Sequence, residues 1–406
     1  MNKDILILGG GPSGLSTALH LAQLAPELTP RILVLEKARY PRSKLCAGGL
    51  MTDAEVILER LGLDVSEVPH VDVTAAHLDF AGKGLTVSFP NMHTLRIIRR
   101  DEFDAWLAEK AASRGIEIRQ GVTVKNVQPL KDSVMVETEA ETFTAQIVVG
   151  ADGSNGITRR CILPNAPVHT ARLLEVLTPV SNVIPSEAIA KHSGRMQSPA
   201  KWEENHHSNH MHIDQDAYLD FFPVPAGIAG YTWDFPTQIE GQPMRCWGIY
   251  DTNLLANRTR PQLKDPLAQE MARHGYDLDK YELKGHPIRL FSPFNEFSVP
   301  RVILVGDAAG ADGIFGEGIS MALGYGRVSA QAIRDAFIRN DFSFGSYRRR
   351  ILLSPLGQAL NVRTAVTHGL YHLHWEWFQK FFWRVLKPIV AAASFIFVVN
   401  WAKRMR

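Results

Sequence analysis

Runs of consecutive aliphatic residues alternate with helical periodicity at both ends of this chain, and the rhythm changes in the middle. Ile5-Leu6-Ile7-Leu8 has no polar break, the pattern of a parallel strand buried on both faces. Leu15, Ala18, Leu19 and Ala22 then recur at helical spacing, and a second apolar run, Ile32 to Leu35, follows. Further helices are predicted over 53–61, where Val56, Ile57 and Leu61 share a stripe, and over 101–114, with Phe103, Leu107 and Ala111 on one face. Strands are predicted at 71–80, 83–89, 116–119, 122–128, 133–138 and 146–150. From 165 to 285 aromatics and prolines rise, and alternating segments at 217–222, 229–235 and 244–250 predict a second, mostly antiparallel layer. The first style returns at Val302-Ile303-Leu304-Val305, followed by a glycine turn and a long helix over 316–338. The last sixty or so residues read as helical and increasingly apolar.

The turn after the first strand carries chemistry. Gly9-x-Gly11-x-x-Gly14 sits between strand and helix, which is the context that makes this fingerprint informative. Gly9 permits the tight turn, Gly11 lets backbone approach a pyrophosphate, and Gly14 lets helix and strand pack closely. The free N–H groups of the helix then face the phosphates. Glu36, 22 residues beyond Gly14, ends the second strand and is placed to accept hydrogen bonds from an adenosine ribose. A bound dinucleotide follows.

Composition excludes some classes and leaves this one standing. With 406 residues, 45% hydrophobic and 21% charged, the chain is an ordinary globular protein of two or three domains. A net charge of +2 and the lack of a basic stripe interleaved with aromatics give no case for nucleic acid. Cys46, Cys161 and Cys246 match neither a disulfide framework nor a zinc site, so a reducing, cytoplasmic setting is expected. The first apolar run reads as a strand and not as a signal peptide. The run Ile389 to Trp401, followed by Lys403-Arg404-Met405-Arg406, is shorter than the roughly 20 residues a membrane span needs. A buried helix closing the fold, interfacial membrane attachment and a true span all remain open for it.

Two later motifs join the first: Gly150-Ala151-Asp152-Gly153-Ser154 and Val305-Gly306-Asp307-Ala308-Ala309-Gly310. Each aspartate alone reads as a cap of a turn or helix. Together, in this order and spacing, the three motifs resemble the FAD-dependent oxidoreductases of the p-hydroxybenzoate hydroxylase-like superfamily. The expected fold is α/β, with a Rossmann-type FAD-binding domain over 1–70, 96–165 and 286–345, a mostly antiparallel β-sheet substrate domain inserted over 71–95 and 166–285, and a helical C-terminal region over 346–406. The resemblance implies FAD contacts at Gly9, Gly11, Pro12, Ser13 and Gly14, and at Glu36, Lys37, Arg100, Val124, Asp152, Gly306 and Asp307. It implies that the arginine of Arg100-x-x-Phe103-Asp104 lies near the sugar and pyrophosphate, and that Asp307 holds a ribitol hydroxyl. Gly316, Gly318 and Ile319 would open a helix whose N–H groups face the flavin, where reduced flavin carries negative charge.

Two local patterns narrow the choice. Pro41-x-x-x-x-Cys46-Ala47-Gly48-Gly49 resembles the PxxxxCGGG signature of geranylgeranyl reductases, departing from it at Ala47, and Tyr231-x-Trp233-x-Phe235-Pro236 matches their YxWxFP signature. Small residues at Ala47, Gly48 and Gly49 let a loop lie against a flat ring or an alkene. Cys46 is the candidate catalytic residue, a thiol mostly protonated at neutral pH and able to supply a proton, with an inert buried cysteine as the alternative. Period-two alternation puts Tyr231, Trp233 and Phe235 on one face of a strand, as plain core or as an apolar wall for a hydrocarbon. The implied activity is saturation of carbon–carbon double bonds in an isoprenoid by hydride from flavin N5, in lipid metabolism, with a membrane-associated protein suiting such a substrate. No second GxGxxG is present, so electrons would come from docked NAD(P)H or a small redox protein. The alternative is a flavin monooxygenase or halogenase acting on an aromatic, because Tyr231-x-Trp233-x-Phe235-Pro236 also partly resembles WxWxIP. A carrier that keeps FAD as structure, and a metal site in the histidine-rich run Glu203 to His212, are the remaining readings; a solvated loop fits that run better.

Overall fold

Every residue of Ile5–Leu8 is buried, because the strand has a layer on each side. In the computed structural model, which describes residues 3–80, 83–89, 92–180, 216–221, 224, 227–255, 261–386 and 400–405, this strand (β1) lies inside a six-stranded sheet. The order is β18 (Ser298–Val299), β19 (Val302–Leu304), β12 (Ile147–Gly150), β1, β2 (Ile32–Glu36) and β8 (Glu117–Gln120). All neighbours are parallel except the β18–β19 edge pair. Alternate residues serve different cores. Ile5 and Ile7 pack with the helices, among them α1 (Pro12–Leu24), α2 (Thr52–Arg60) and α3 (Arg100–Ser113). Leu6 and Leu8 pack with Val127, Val136 and Phe143 of a three-stranded antiparallel sheet, β9 (Val124–Pro129), β10 (Val134–Thr138) and β11 (Thr142–Ala145). That two-sided burial is why the sequence shows no polar break. A short helix, α4 (Ile157–Ile162), follows β12.

A seven-stranded sheet forms the second layer, ordered β17 (Lys284–Arg289), β13 (Thr170–Pro179), β16 (Gln242–Asp251), β15 (Gly230–Ile239), β14 (Ala217–Asp220), β5 (Ala75–Phe80) and β6 (Lys83–Ser88). Only the β14–β5 pair is parallel. One face of it, carrying Tyr231, Trp233, Phe235, Cys246 and Tyr250, packs into an apolar cluster; the other, with Val176, Trp247 and Ile249, packs against α5 (Lys264–Arg273). The sheet runs through Arg289, so position 285 falls inside β17. The segment expected as one strand over 71–80 is two. β4 (His70–Val73) joins β7 (Leu95–Ile98) and β3 (Gly49–Leu50) in a third small sheet, and the chain changes sheets at Thr74 to enter β5.

The long helix α6 (Ile319–Arg339) lies along α1. Ser16 Oγ donates to the Leu323 carbonyl at 2.8 Å, and Thr17 and Ser329 share a hydrogen bond of 2.9 Å across the crossing. After it come α7 (Tyr347–Leu353), α8 (Pro355–His372) and α9 (Glu376–Arg384). Residues 400–405 return to the core. Trp401 is fully buried, and Asp53 of α2 accepts the N–H groups of Asn400 and Ala402 at 3.0 and 2.7 Å. Most of the Ile389–Trp401 run, and the whole Glu203–His212 run, lie outside the described residues. Among the described residues no helix is long and apolar enough to cross a membrane.

Candidate active site

The two large sheets open onto one cavity of about 1400 Å3. Its polar end starts at the glycine turn. Gly9 leaves β1 with φ of +110°, and a Cβ on Gly14 would lie 2.0 Å from the Gly9 carbonyl oxygen. Only glycine permits so close an approach of α1 to the strand. Gly9, Gly11, Pro12 and Ser13 line the cavity. Gly14 and Gly306 sit behind that wall; a Cβ on Gly306 would lie 2.5 Å from Ser13 Oγ.

Charged side chains lock this turn in place. Glu36 accepts the N–H groups of Gly10 at 2.8 Å and Ala38 at 3.0 Å, and the Tyr40 hydroxyl donates to the Gly10 carbonyl. Arg100 binds Asp104 through two hydrogen bonds of 2.8 Å, and Arg42 bridges Asp104 at 3.0 Å and Glu36 at 3.5 Å. Asp104 is fully buried between two guanidiniums, so loss of either charge type would leave an uncompensated ion in the interior. Lys37 and Val124 line the same end. Asp152 Oδ2 accepts the N–H and hydroxyl of Thr158 at 2.8 and 2.9 Å, holding the start of α4. Its Oδ1 is buried with no protein partner, and burial pushes the carboxyl above the usual range.

The segment ahead of α6 is held from three sides. Arg363 of α8 is fully buried and donates to Asp312 at 3.2 Å and Glu317 at 3.1 Å. Asp312 accepts the N–H groups of Ile314 and Phe315, and Glu317 accepts that of Ser320 at 2.7 Å, closing the first turn of the helix. Three tyrosine hydroxyls take successive carbonyls: Tyr250 that of Gly313 at 3.0 Å, Tyr371 that of Ile314 at 3.1 Å, and Tyr231 that of Phe315 at 2.5 Å. Gly316, Gly318 and Ile319 therefore present the N-terminus of a 21-residue helix to the cavity, beside Asp307.

The other end is aromatic. Tyr231, Trp233 and Phe235 are 5%, 5% and 7% exposed and line the cavity from β15. Trp233 faces Gly248 across the strand pair, and a Cβ there would lie 2.0 Å from the indole. Residues 42–49 join the two ends. Arg42 belongs to the ion-pair cluster, Cys46 and Gly48 face the cavity, and Gly49 lies beside the Phe235 ring. Ala47 has no left-handed backbone, so alanine stands there without strain. The Cys46 thiol is half-buried, accepts the Gly48 N–H at 3.4 Å, and is pushed up by burial. Lys44, which the sequence did not single out, donates to His286 Nε2 at 2.7 Å. Burial lowers both groups, and with Lys44 adjacent His286 falls to about 4. The triad of Arg363, Asp312 and Glu317 was not legible either, since its members come together only through the packing of α8. Among the described residues no group of three His, Cys, Asp or Glu side chains is placed to hold a metal.

The family described as "FAD binding domain" matches residues 2–213, just over half of the chain. This chain belongs to that FAD-binding family. Its cavity suits the cofactor on physical grounds as well: a glycine turn with no room for a Cβ at Gly9 or Gly14 and the open N-terminus of α6 meet at one space. The FAD-binding protein is similar to the digeranylgeranylglycerophospholipid reductase of Thermoplasma acidophilum, 26% identical over 363 residues, 84% of this chain and 80% of that relative. Its fold is that of a geranylgeranyl bacteriochlorophyll reductase-like protein of the same organism, with TM-score 0.66, 21% identity, and coverage of 99% and 98% of the two chains. The halogenase PltM shares the fold equally, with TM-score 0.67, 16% identity, and coverage of 92% and 77%. The protein is an FAD-dependent oxidoreductase.

Proposed function

We propose that this oxidoreductase saturates carbon–carbon double bonds of an isoprenoid chain. One observation carries the reading: the Cys46 loop and the Tyr231–Trp233–Phe235 wall face the same space as the nucleotide turn. FAD, once reduced, supplies a hydride from N5 to one alkene carbon. Gly9, Gly11, Pro12, Ser13, Glu36, Lys37, Arg100, Val124, Asp152 and Asp307 would hold it along the polar end, with Gly14 and Gly306 setting the wall. Gly316, Gly318 and Ile319 would place helix N–H groups at its pyrimidine edge. The aromatic wall would hold the chain and exclude water, with Gly48 and Gly49 leaving room for it. Cys46 would give its proton to the second alkene carbon, and burial, by keeping the thiol protonated, supports that role. Similarity to the Thermoplasma reductase favours an isoprenoid attached to a lipid head group. NAD(P)H or a small redox protein would deliver the electrons. Contact with a membrane surface would be peripheral, through exposed aromatics of α9.

The shared fold with a halogenase keeps a second reading, oxygen-dependent chemistry on an aromatic ring, for which the amine of Lys44 in the cavity wall would be the group at hand. One anaerobic experiment separates them: reduce the FAD-loaded protein with dithionite, add geranylgeranyl diphosphate or its lipid ether, and follow flavin absorbance and product mass. Flavin reoxidised without oxygen, with one H2 gained per double bond, is expected. Flavin that stays reduced until oxygen is admitted would overturn the reductase reading in favour of the second.

A further inference from the structure

The helical C-terminal region holds three histidines in seven positions, His368, His372 and His374, directly ahead of Trp375 and Trp377. Packing lays these rings along one outer surface. His368 and His372, one turn apart on α8, stack with centroids 5.4 Å apart. His374 stacks on Trp375 at 6.1 Å, and Trp375 on Trp377 at 6.1 Å. His372 Nδ1 donates to the His368 carbonyl at 2.9 Å, and His374 Nδ1 donates to the His372 carbonyl at 3.0 Å. Each bond fixes Nδ1–H as the donor, so the second proton of either ring goes to Nε2 and both bonds survive it. Trp375 and Trp377 are largely exposed, as are His368 and His372, and His374 is half-buried. From Pro355 to Leu386 the only acid is Glu376, which is tied to Lys380 at 2.5 Å. Sequence reasoning passed over these histidines. The available signal was their density beside two tryptophans.

We propose that this row of rings is a pH-sensitive docking surface for an anionic lipid bilayer: the tryptophans enter the interface, and the histidines set positive charge against it as they take up protons. The proposal rests on the peripheral membrane contact read above from α9, and adds its regulation. Charge complementarity names the occupant. Lys380 and Arg384 flank the exposed rings, the one acid of the region is already paired, and acidification adds cations. Such a face suits a negatively charged surface. Histidine changes charge between about pH 5 and about pH 8, so the surface gains charge within that range. The titratable and charged groups around the three rings are the rings themselves, His169 from the segment ahead of β13, and Glu376 with Lys380 at the start of α9. Burial, with His372 and His169 beside it, lowers His368, so that ring needs a more acidic medium than an ordinary histidine. Protonation adds positive charge, so binding strengthens as pH falls and weakens as it rises.

The test is cosedimentation of the full, FAD-loaded chain with vesicles at about pH 5.5 and about pH 8, either side of the histidine range. One set of vesicles mixes phosphatidylglycerol with phosphatidylcholine and the other is phosphatidylcholine alone; their phosphodiester groups keep their charge at both pH values. Wild type should bind the anionic vesicles at least about tenfold more tightly at the lower pH, since each cation gained acts as a lysine near the surface would. It should show no such rise on phosphatidylcholine alone. The triple variant His368→Gln, His372→Gln and His374→Gln should bind as wild type does at the higher pH and lose the rise. His368→Lys with His372→Lys, which fixes the charge, should already bind tightly at the higher pH. Wild-type binding that is equal at the two pH values, or a glutamine variant that keeps the rise, would overturn the proposal alone. A wild-type protein that sediments with neither set at either pH would overturn the membrane contact as well, and leave this face to a protein partner. Turnover does not enter the readout, so failure of the isoprenoid assay leaves it intact.

Discussion

At the polar end of the cavity, Asp104 takes two guanidiniums, Glu36 takes two backbone N–H groups, and Asp152 takes an N–H and a hydroxyl. At the aromatic end, order comes from ring packing: Tyr231 lies 5.6 Å from Tyr250 and 6.2 Å from Trp233, and Phe221 lies 4.7 Å from Trp383. The first kind of contact depends on residue identity, because a buried charge without its partner costs several kcal/mol. The second depends on volume and shape, and tolerates substitutions of similar size. An end of the first kind is exacting about what it holds, while an end of the second kind can be reshaped. The tyrosine hydroxyls on Gly313, Ile314 and Phe315 tie the two together, because they use the aromatic layer to aim a helix terminus at the polar one.

The largest effect that would break this contrast is at Gly14. A valine there must push α1 away from β1, since even the first added carbon would lie 2.0 Å from the Gly9 oxygen. A displacement of that kind costs upward of about 3 kcal/mol, so flavin affinity should fall more than about a hundredfold and the purified protein should lose its yellow colour. A Gly14→Val protein that keeps a full complement of flavin would sink the account of the polar end. Gly248→Ala is the matching substitution at the other end. Its methyl must displace the Trp233 indole, now 2.0 Å from that position, without touching the ion pairs. Flavin content should stay at the wild-type level, while single-turnover reduction of an isoprenoid should fall roughly tenfold to a hundredfold. Loss of flavin from Gly248→Ala would show that the two ends are not separable.

The same contrast explains what the sequence made legible. The polar end announces itself because Gly9 and Gly14 each have a steric reason to be there and the spacing from strand to helix is fixed, so the glycine turn was readable from the chain alone. The aromatic face was readable as a face, since alternation puts Tyr231, Trp233 and Phe235 on one side of β15; what it faces was not. Glu36 was expected to turn toward a ribose, and the structure adds a role that spacing does not encode, bracing the turn through the Gly10 N–H. The Lys44–His286 contact and the Arg363 clasp on Asp312 and Glu317 were invisible because they depend on sheet register and helix packing across 242, 51 and 46 residues. The split of 71–80 into two strands has the same origin: partner choice between sheets leaves no mark on local periodicity.

The aromatic layer also has an outer face, and the smallest expected effect lies there. Helix α9 turns its polar residue inward: Gln379 donates to the Leu370 and Leu373 carbonyls and accepts from Trp383. Trp383 packs inward beside it, while Trp377 and Phe381, 66% and 42% exposed, point out, with Trp375 and Val385, just outside the two ends, 52% and 61% exposed, and Lys380 and Arg384 beside them. Exposed aromatics flanked by cations on an outer helix face match a helix that rests at a lipid interface. The helix packs on β5 and β6, whose Leu78, Leu85 and Val87 line the cavity, so a lipid substrate leaving a membrane there would have a short path to the aromatic end. Trp377→Ser and Phe381→Ser should each weaken cosedimentation with anionic phospholipid vesicles about fivefold, the loss of roughly 1 kcal/mol of partly buried aromatic surface. Flavin content and reduction of a soluble isoprenoid diphosphate should not change, because neither ring reaches the cavity. If the wild-type protein does not sediment with such vesicles, or both variants sediment as it does, α9 is not the membrane contact, and the outer face of the aromatic end has no part in substrate delivery.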